Sequence, residues 1–196
     1  MCKRILASIL SDKERTANGQ SKDPESSSNG QGHTEVALIY TEVLQLQGRP
    51  QEAVVVLSKA IEKLNSDLAE AKRLRSKKDP QTGGSSDSTS VASAATRTAT
   101  QSLEFDHLKK MKALCHRRIG SLYKLTNRLK VAEEHIKRYI SIVERTNSTD
   151  LDSVRRETSL AYSLLTAIYD AMGKTAEAQA ADKVAIELAA SMGRVE

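Results

Sequence analysis

The stretch "LTNRLKVAEEHIKRYISI", residues 125–142, decides the fold because its spacing recurs twice elsewhere in the chain. Asn127, a residue type that tolerates a left-handed backbone, is followed five positions later by Ala132. The same spacing of turn residue and alanine occurs in "QGRPQEAVVVLSKAIEKL", residues 47–64, and in "MGKTAEAQAADKVAIEL", residues 172–188. Each stretch therefore predicts a tight turn followed by a helix that lies close to the preceding one.

When Gly48, Asn127 and Gly173 are taken as origins, the three stretches share a register of small and large residues. Small side chains let two helices approach closely, and large side chains fill the space between them, so this register predicts three antiparallel helical hairpins. The shared positions are Tyr40, Ile119 and Leu165 at minus eight, Thr41, Gly120 and Thr166 at minus seven, Leu44, Tyr123 and Tyr169 at minus four, and Ala53, Ala132 and Ala178 at plus five.

The register resembles that of the tetratricopeptide repeat family over about 110 of the 196 residues. The 46 residues from Asn127 to Gly173 exceed the roughly 34 of the basic repeat, which is similar to the long-helix variety of kinesin light chains and spindle-orientation adaptors. The resemblance implies an α-α superhelix of about three hairpins and a scaffold or adaptor function. Asp182 stands at a position that is usually large and apolar, which indicates that the third hairpin is an end cap. Tyr139 of the second hairpin also departs from the family, because its position is usually small. A generic helical bundle is the alternative fold.

Composition divides the chain into ordered hairpins and polar tracts. Tracts rich in Ser, Thr, Gly, Asn and Gln cannot bury an apolar face, so residues 16–33 and 77–102 are predicted to be disordered. Residues 1–15 predict a short amphipathic helix, with a mitochondrial presequence as the alternative. The hairpins are predicted at 34–76, 103–146 and 147–196, with helices at 34–47, 50–76, 103–126, 128–146, 150–172 and 174–192, the fifth of them opened by a capping box of Thr149 and Asp152.

The overall composition favours helices packed on helices in a reducing compartment. Hydrophobic residues make up 39% of the chain and aromatic residues only 3%, with no Trp, so the core is predicted to be aliphatic. Cys2 and Cys115 have no metal-binding or redox spacing, which predicts a reducing, intracellular compartment, the cytoplasm or alternatively the nucleus. The resemblance implies the cytoskeleton or cilium as further alternatives. No stretch approaches the roughly 20 apolar residues of a membrane span, so no membrane association is expected.

The resemblance implies that the first helix of each hairpin lines a concave surface that binds a peptide or helix of another protein. By register, Leu38 and Glu42 stand where chaperone-binding members carry their first Lys and Asn, and Leu160 and Leu164 stand where the last basic pair would be, so binding to chaperone tails is disfavoured. The positions predicted to line this surface are Glu35, Leu38, Glu42 and Gln45, then Arg117, Ser121 and Lys124, and finally Ser163, Ala167 and Asp170.

The middle hairpin is strongly basic. Residues 107–145 hold eleven Lys or Arg and three Glu, a net charge of +8, whereas residues 34–71 and 146–196 each carry −3. This band predicts attraction to acidic protein, with pairing to its own acidic neighbours as the alternative. RNA binding through residues 109–138 is the rival function, although Tyr123 and Tyr139 are predicted to be in the core rather than exposed for stacking. Predicted partner-binding residues on the second helix of this hairpin are Arg128, Lys137 and Arg138.

Catalytic, metal and cofactor sites are not expected. Cys115 and His116 are adjacent in a helical pattern and point about 100° apart, so Cys115 is predicted to lie in the core and His116 between helices. His33, His107 and His135 have no second ligand at metal-binding spacing. No glycine-rich phosphate loop occurs. The chain is therefore predicted to be a non-enzymatic monomer or a subunit of a hetero-complex.

Overall fold

The computed structural model describes residues 29–76, 91–146 and 151–192. Within these ranges the chain is all-α, without strands, and its helices form three consecutive hairpins. The helices are α1 (Asn29–Leu46), α2 (Pro50–Ser76), α3 (Val91–Leu125), α4 (Leu129–Glu144), α5 (Leu151–Ala171) and α6 (Thr175–Ser191).

The three turns between paired helices have the same backbone conformation. Gly48, Asn127 and Gly173 have φ values of 71°, 58° and 72°, which is the left-handed region that the sequence predicts for them. Glycine reaches this region without steric cost, and asparagine is one of the few other residue types that tolerates it. The backbone preference of a single residue therefore ends α1, α3 and α5.

The hydrogen bonds at these turns are also equivalent. Past the end of α1, the N–H of Gly48 donates to the carbonyl of Gln45 at 3.0 Å, and the N–H of Arg49 donates to that of Leu44 at 2.9 Å. The turns after α3 and α5 repeat both bonds at distances of 2.8–3.1 Å. This is the Schellman arrangement, which satisfies carbonyl groups that a helix end would otherwise leave unpaired.

Small residues allow close approach within each hairpin. Ala53, Ala132 and Ala178 are all buried, as the register predicts. The crossing of α3 and α4 is tightest at Gly120, where an added Cβ atom would lie 2.5 Å from Cδ1 and 2.8 Å from Cγ1 of Ile136, and 3.3 Å from the carbonyl oxygen of Ala132. The absence of a side chain at this position sets the separation of the two helices.

Gly120→Ala is expected to destabilise the fold by about 1–2 kcal/mol. Overpacking of a core costs about 1–3 kcal/mol, which outweighs the gain of about 1 kcal/mol in helix propensity. Gly32→Ala in α1 is the matched control, because a Cβ atom there has no neighbour within 4 Å and should be neutral or stabilising. Urea unfolding followed by circular dichroism measures both changes, and equal effects would contradict a close crossing at Gly120.

The hairpins stack so that their first helices approach each other. Helices that follow one another in the chain pack together, and in addition α1 contacts α3 and α3 contacts α5. Among the described residues, the corresponding contacts between α2, α4 and α6 are at most marginal. The array is therefore an α-α superhelix that curves toward its first helices, which line the inner side.

Two groups of buried residues hold the array together. In the first group, Leu44 and Leu57 from the first hairpin pack with Cys115 and Ile119 of α3. In the second, residues of α4 pack with α5 and α6, and Tyr123 of α3 lies partly buried against both groups. Burial of Cys115 confirms its predicted place in the core and raises the pKa of its thiol to about 12. Each hairpin thus buries its apolar surface against the next one.

Two helices begin earlier than the sequence predicts. α1 starts at Asn29 rather than at 34, and α3 starts at Val91 rather than at 103, so residues 91–102 are helical and not part of a disordered insertion. The alanines in this segment favour a helix, and its Ser and Thr residues cost only about 0.5 kcal/mol each relative to alanine. The other helix ends agree within two residues.

Several predictions concern segments that lie outside the described residues. These are the N-terminal helix at 1–15, the linker from 16 to 28, the part of the insertion from 77 to 90, and Thr149 of the capping box.

Candidate partner-binding surface

The positions predicted for the concave surface lie on the side of α1, α3 and α5 that their paired helices leave open. Each of them is exposed or half-buried, whereas the opposite faces of the same helices are buried. Because α3 contacts both α1 and α5, the positions form one surface across the array. We call it the inner surface and define it as Glu35, Leu38, Glu42 and Gln45 on α1, Arg117, Ser121 and Lys124 on α3, and Ser163, Ala167 and Asp170 on α5.

Arg117 occupies the centre of the inner surface and is held by an aromatic contact. Its guanidinium carbon lies 5.9 Å from the ring centre of Tyr139, which is buried as predicted. The Tyr139 hydroxyl donates a 2.7 Å hydrogen bond to a carboxylate oxygen of Glu157. Burial, together with this bond, raises the pKa of Tyr139, so the phenol remains a neutral donor. The half-buried Arg117 is thereby positioned without forming an ion pair among the described residues.

The neighbours of Arg117 on α3 add polar groups to the same face. Ser121 donates its hydroxyl to the Arg117 carbonyl at 3.1 Å, as helical serines often do. Lys124, one turn further along, is half-buried and has no ion pair within the described ranges. Asp170 is exposed on α5. The middle of the inner surface therefore offers two positive charges that no carboxylate of the described chain neutralises.

The α1 end of the inner surface has a different character. Glu42 forms an ion pair with Arg118, with 3.5 Å between Oε1 of Glu42 and Nη2 of Arg118. The side-chain oxygen of Gln45 and the Nε of Arg118 are both buried and have no hydrogen-bond partner in the described part of the chain. Unpaired buried polar atoms are costly, so these two atoms weaken the packing of α1 against α3.

The predicted basic residues of α4 do not join the inner surface. Arg128 is exposed at the beginning of α4, where its side chain makes no capping bond. Lys137 binds Glu133 at 2.6 Å and Arg138 binds Glu134 at 3.7 Å, in both cases one turn away on the same helix. Adjacent helical residues point about 100° apart. The structure thus separates these three residues rather than gathering them into one patch.

The basic band as a whole is partly neutralised. Besides Lys137 and Arg138, the structure pairs Arg118 with Glu42 and Lys109 with Asp106, the latter at 3.1 Å. This supports the alternative that the band pairs with its own acidic neighbours. The basic residues of the band without an ion pair in the described ranges are Lys110, Lys112, Arg117, Lys124, Arg128, Lys130 and Arg145.

Glu133 is a polar centre that sequence reasoning missed. Its carboxylate accepts bonds from Lys137 at 2.6 Å, from the Tyr169 hydroxyl at 3.2 Å and from Lys174 at 3.3 Å. The bond from Lys137 is the main cause that lowers the pKa of Glu133. The spacing of Glu133 and Lys137 is visible in the sequence, but the bonds to residues 36 and 41 positions away are not. Glu133 ties α4 to the third hairpin.

His116 and His135 form a second contact that sequence spacing could not reveal. Their Nδ1 atoms lie 3.1 Å apart, with His116 on α3 and His135 on α4. His116 is buried between helices, as predicted. Burial, followed by the charges of His135, Lys112 and Arg138, lowers its pKa to about 4, and burial likewise lowers the pKa of His135. One neutral ring therefore donates to the other.

This histidine pair does not form a metal site by itself. Within the described residues, no three His, Cys, Asp or Glu side chains come together in a way that could hold a metal ion. A structural metal site normally needs four ligands, and a catalytic one needs three. The neighbouring cations Lys112 and Arg138 would also repel a metal ion.

A small cleft lies where α3, α4 and α5 meet. It is lined by residues that include Lys110, Val154 and Glu157, and its volume is about 120 Å³. Pockets for small-molecule ligands usually measure roughly 300–1,000 Å³. The cleft is therefore too small to take up a ligand of that size.

Comparisons with known proteins assign no family to this chain, so its function is inferred from the geometry described above. No protein-family model and no curated protein sequence matches the chain. Among the described residues, no helix combines the length and the apolar character that a membrane crossing requires.

Proposed function

We propose that this chain is a non-enzymatic adaptor or scaffold subunit, built from tetratricopeptide-like hairpins, that binds an acidic segment of another protein along the inner surface. The observation that carries the proposal is that α3 contacts both α1 and α5, which places the open faces of the three helices next to one another across the three hairpins. Helical arrays of this kind present an extended surface suited to a peptide or to a helix of a partner.

Charge on the inner surface favours an acidic partner segment. Arg117 and Lys124 are half-buried cations without a carboxylate partner in the described ranges, so each can form a charge-assisted hydrogen bond to a bound Asp or Glu. Contact with the Tyr139 ring restrains Arg117 before binding, which reduces the entropy lost when a partner arrives.

Nucleic acid is the less favoured partner on the same observations. Single-strand recognition generally uses exposed aromatic rings on which bases stack. In this chain Tyr139 is buried, and Tyr123 is partly buried against both groups of core residues. Four cations of the basic band are engaged in ion pairs, which weakens the continuous positive surface that a phosphate backbone requires.

The buried, unpaired thiol of Cys115 suits a reducing compartment, so we place this function inside the cell. The cytoplasm is the proposed location, with the nucleus and the cytoskeleton or cilium as alternatives. In this proposal the chain acts as a monomer or as a subunit of a hetero-complex.

The double variant Arg117→Glu/Lys124→Glu tests the proposal. Reversing both charges should reduce the recovery of bound protein from cell extract at least tenfold, because each former attraction becomes a repulsion. Affinity purification followed by quantitative mass spectrometry measures the recovery. Lys59→Glu/Lys63→Glu is the matched control, because it makes the same change in net charge at exposed positions of α2 and should retain the partners.

A parallel purification with nuclease separates protein partners from nucleic acid. Partners that survive nuclease treatment, and are lost only in the Arg117→Glu/Lys124→Glu variant, support the adaptor function. Loss of the partners on nuclease treatment would contradict the adaptor function and would indicate that the chain binds RNA. Equal loss in both charge variants would show that net charge, and not the inner surface, governs the association.

A further inference from the structure

The first helix carries a row of exposed apolar side chains. Val36, Ile39, Val43 and Leu46 are 37%, 65%, 36% and 89% exposed. Their spacing of three, four and three residues places them on one face of α1. We call this face the end stripe. Single exposed apolar residues are ordinary on protein surfaces, but a row along a helix marks a contact site.

The end stripe faces away from the rest of the array. The opposite face of α1, which includes Thr34, Ala37, Thr41 and Leu44, is buried. The flank that includes Glu42 lies toward α3, since Glu42 forms an ion pair with Arg118. The end stripe is therefore the open end of the superhelix, on the side that a preceding helix would cover.

The position of α1 differs in this respect from that of α3 and α5. Preceding helices cover α3 and α5, because α2 packs against α3 and α4 packs against α5. Within the described ranges no helix comes before α1. The end stripe thus lies exposed at a position that a preceding helix covers in the other two hairpins.

The chain supplies a suitable segment in "KRILASILSDK", residues 3–13. As a helix, this segment would place Ile5, Leu6, Ile9 and Leu10 on one face, which matches the end stripe in length and in character. The segment carries Lys3, Arg4 and Lys13 against Asp12.

Charge also matches between this segment and α1. α1 contains Glu35 and Glu42 and no Lys or Arg, and both of these glutamates are exposed. Glu42 pairs with Arg118, whereas Glu35 has no ion pair among the described residues. A second copy of α1 on the end stripe would bring like charges together, whereas a basic amphipathic segment would bring opposite charges together. The complementarity therefore favours the N-terminal segment over a symmetric dimer.

The connection is long enough for this arrangement. Residues 14–28 are fifteen residues, which can span up to about 50 Å when extended. α1 has 18 residues and is therefore about 27 Å long. The segment can reach either end of α1 without strain.

We propose that residues 3–13 bind the end stripe as an amphipathic helix and close the N-terminal end of the superhelix. The segment contributes the apolar surface that a preceding hairpin would otherwise provide. This contact borders the inner surface at Glu35 and Glu42, and it does not require a partner to be bound there.

Thiol reactivity of the full chain tests this contact. In a Cys2→Ser background, Ile39→Cys places a thiol on the end stripe, and Val55→Cys places one on an exposed position of α2. The buried Cys115 should react slowly throughout. We expect Cys2→Ser/Ile39→Cys to react with a maleimide at least tenfold more slowly than Cys2→Ser/Val55→Cys.

Charged substitutions in the segment should remove this protection. Adding Ile5→Glu/Ile9→Glu should speed the reaction at position 39 at least tenfold and leave the reaction at position 55 unchanged. The matched control Ala7→Glu/Ser11→Glu makes the same change in charge on the opposite face of the predicted helix, and it should keep the protection. Slow reaction of the buried Cys115 and circular dichroism verify that each variant is folded.

Three results would overturn the proposal. Fast reaction at position 39 in the unsubstituted segment would mean that the end stripe is open. Protection that persists with Ile5→Glu/Ile9→Glu would mean that something else covers it. Protection that disappears on dilution, together with a dimer mass by light scattering, would assign the end stripe to a second copy of the chain.

Discussion

Ala132→Trp is expected to destabilise the fold by more than about 3 kcal/mol, at the upper end of the cost of overpacking. Ala132 is fully buried at the crossing of α3 and α4. Its carbonyl oxygen lies 3.3 Å from the point where a side chain on Gly120 would begin. An indole ring cannot enter this crossing unless the two helices separate, and separation would expose core residues such as Ile136.

Urea unfolding followed by circular dichroism measures this effect. Ala180→Trp is the control, because Ala180 is exposed on α6 and its replacement should cost well under 1 kcal/mol. Ala132→Leu gives an intermediate loss that remains measurable if the tryptophan variant does not fold. Equal stability of Ala132→Trp and Ala180→Trp would mean that α3 and α4 do not cross closely at this point.

We expect the histidine pair to make the folded chain lose stability at pH values well above the range in which carboxylates titrate. In the folded chain the pKa of His116 is lowered from 6.5 to about 4, first by burial and then by His135, Lys112 and Arg138. The unfolded chain therefore binds more protons between these values, so stability falls as the pH falls. Between pH 7 and pH 5, the loss through His116 should be about 2 kcal/mol.

A comparison of variants isolates this contribution. His116→Gln removes the titrating ring. Between pH 7 and pH 5 the variant should therefore lose about 2 kcal/mol less of its free energy of unfolding than the wild type loses. His33→Gln leaves the pair intact and should retain the dependence of the wild type. Protonation of the Glu133 carboxyl lies below this window, because the pKa of that carboxyl is lowered, chiefly by Lys137. An unchanged pH dependence in His116→Gln would contradict the burial of a neutral pair.

Sequence reasoning was most successful where the rules are local. A left-handed turn residue and an alanine five positions later depend on the backbone of one residue and on the size of another, and both features can be read from the chain at Gly48 and Ala53. It was wrong at the start of α3, because the Ser and Thr content of residues 91–102 indicated disorder while the alanines there support a helix.

The candidate inner surface was predicted in part. The positions of Arg117, Ser121 and Lys124 follow from helical periodicity once the hairpin is recognised. Their charge environment does not follow from it. The ion pair of Arg118 with Glu42 joins different hairpins, and the contact of Arg117 with Tyr139 joins different helices. The exposed end stripe on α1 was missed because an apolar row reads equally well as core until its neighbours are known.

The sequence by itself determined the all-α architecture, the three turns and the close contact at the alanine five positions after each turn. These features depend on backbone preference and side-chain periodicity, which act over a few residues. Only the tertiary structure decided that His116 meets His135, that Glu133 accepts bonds from three donors, and that the basic band is divided by ion pairs. Desolvation and Coulomb interactions depend on distances through space, and the spacing of residues along the chain does not specify those distances.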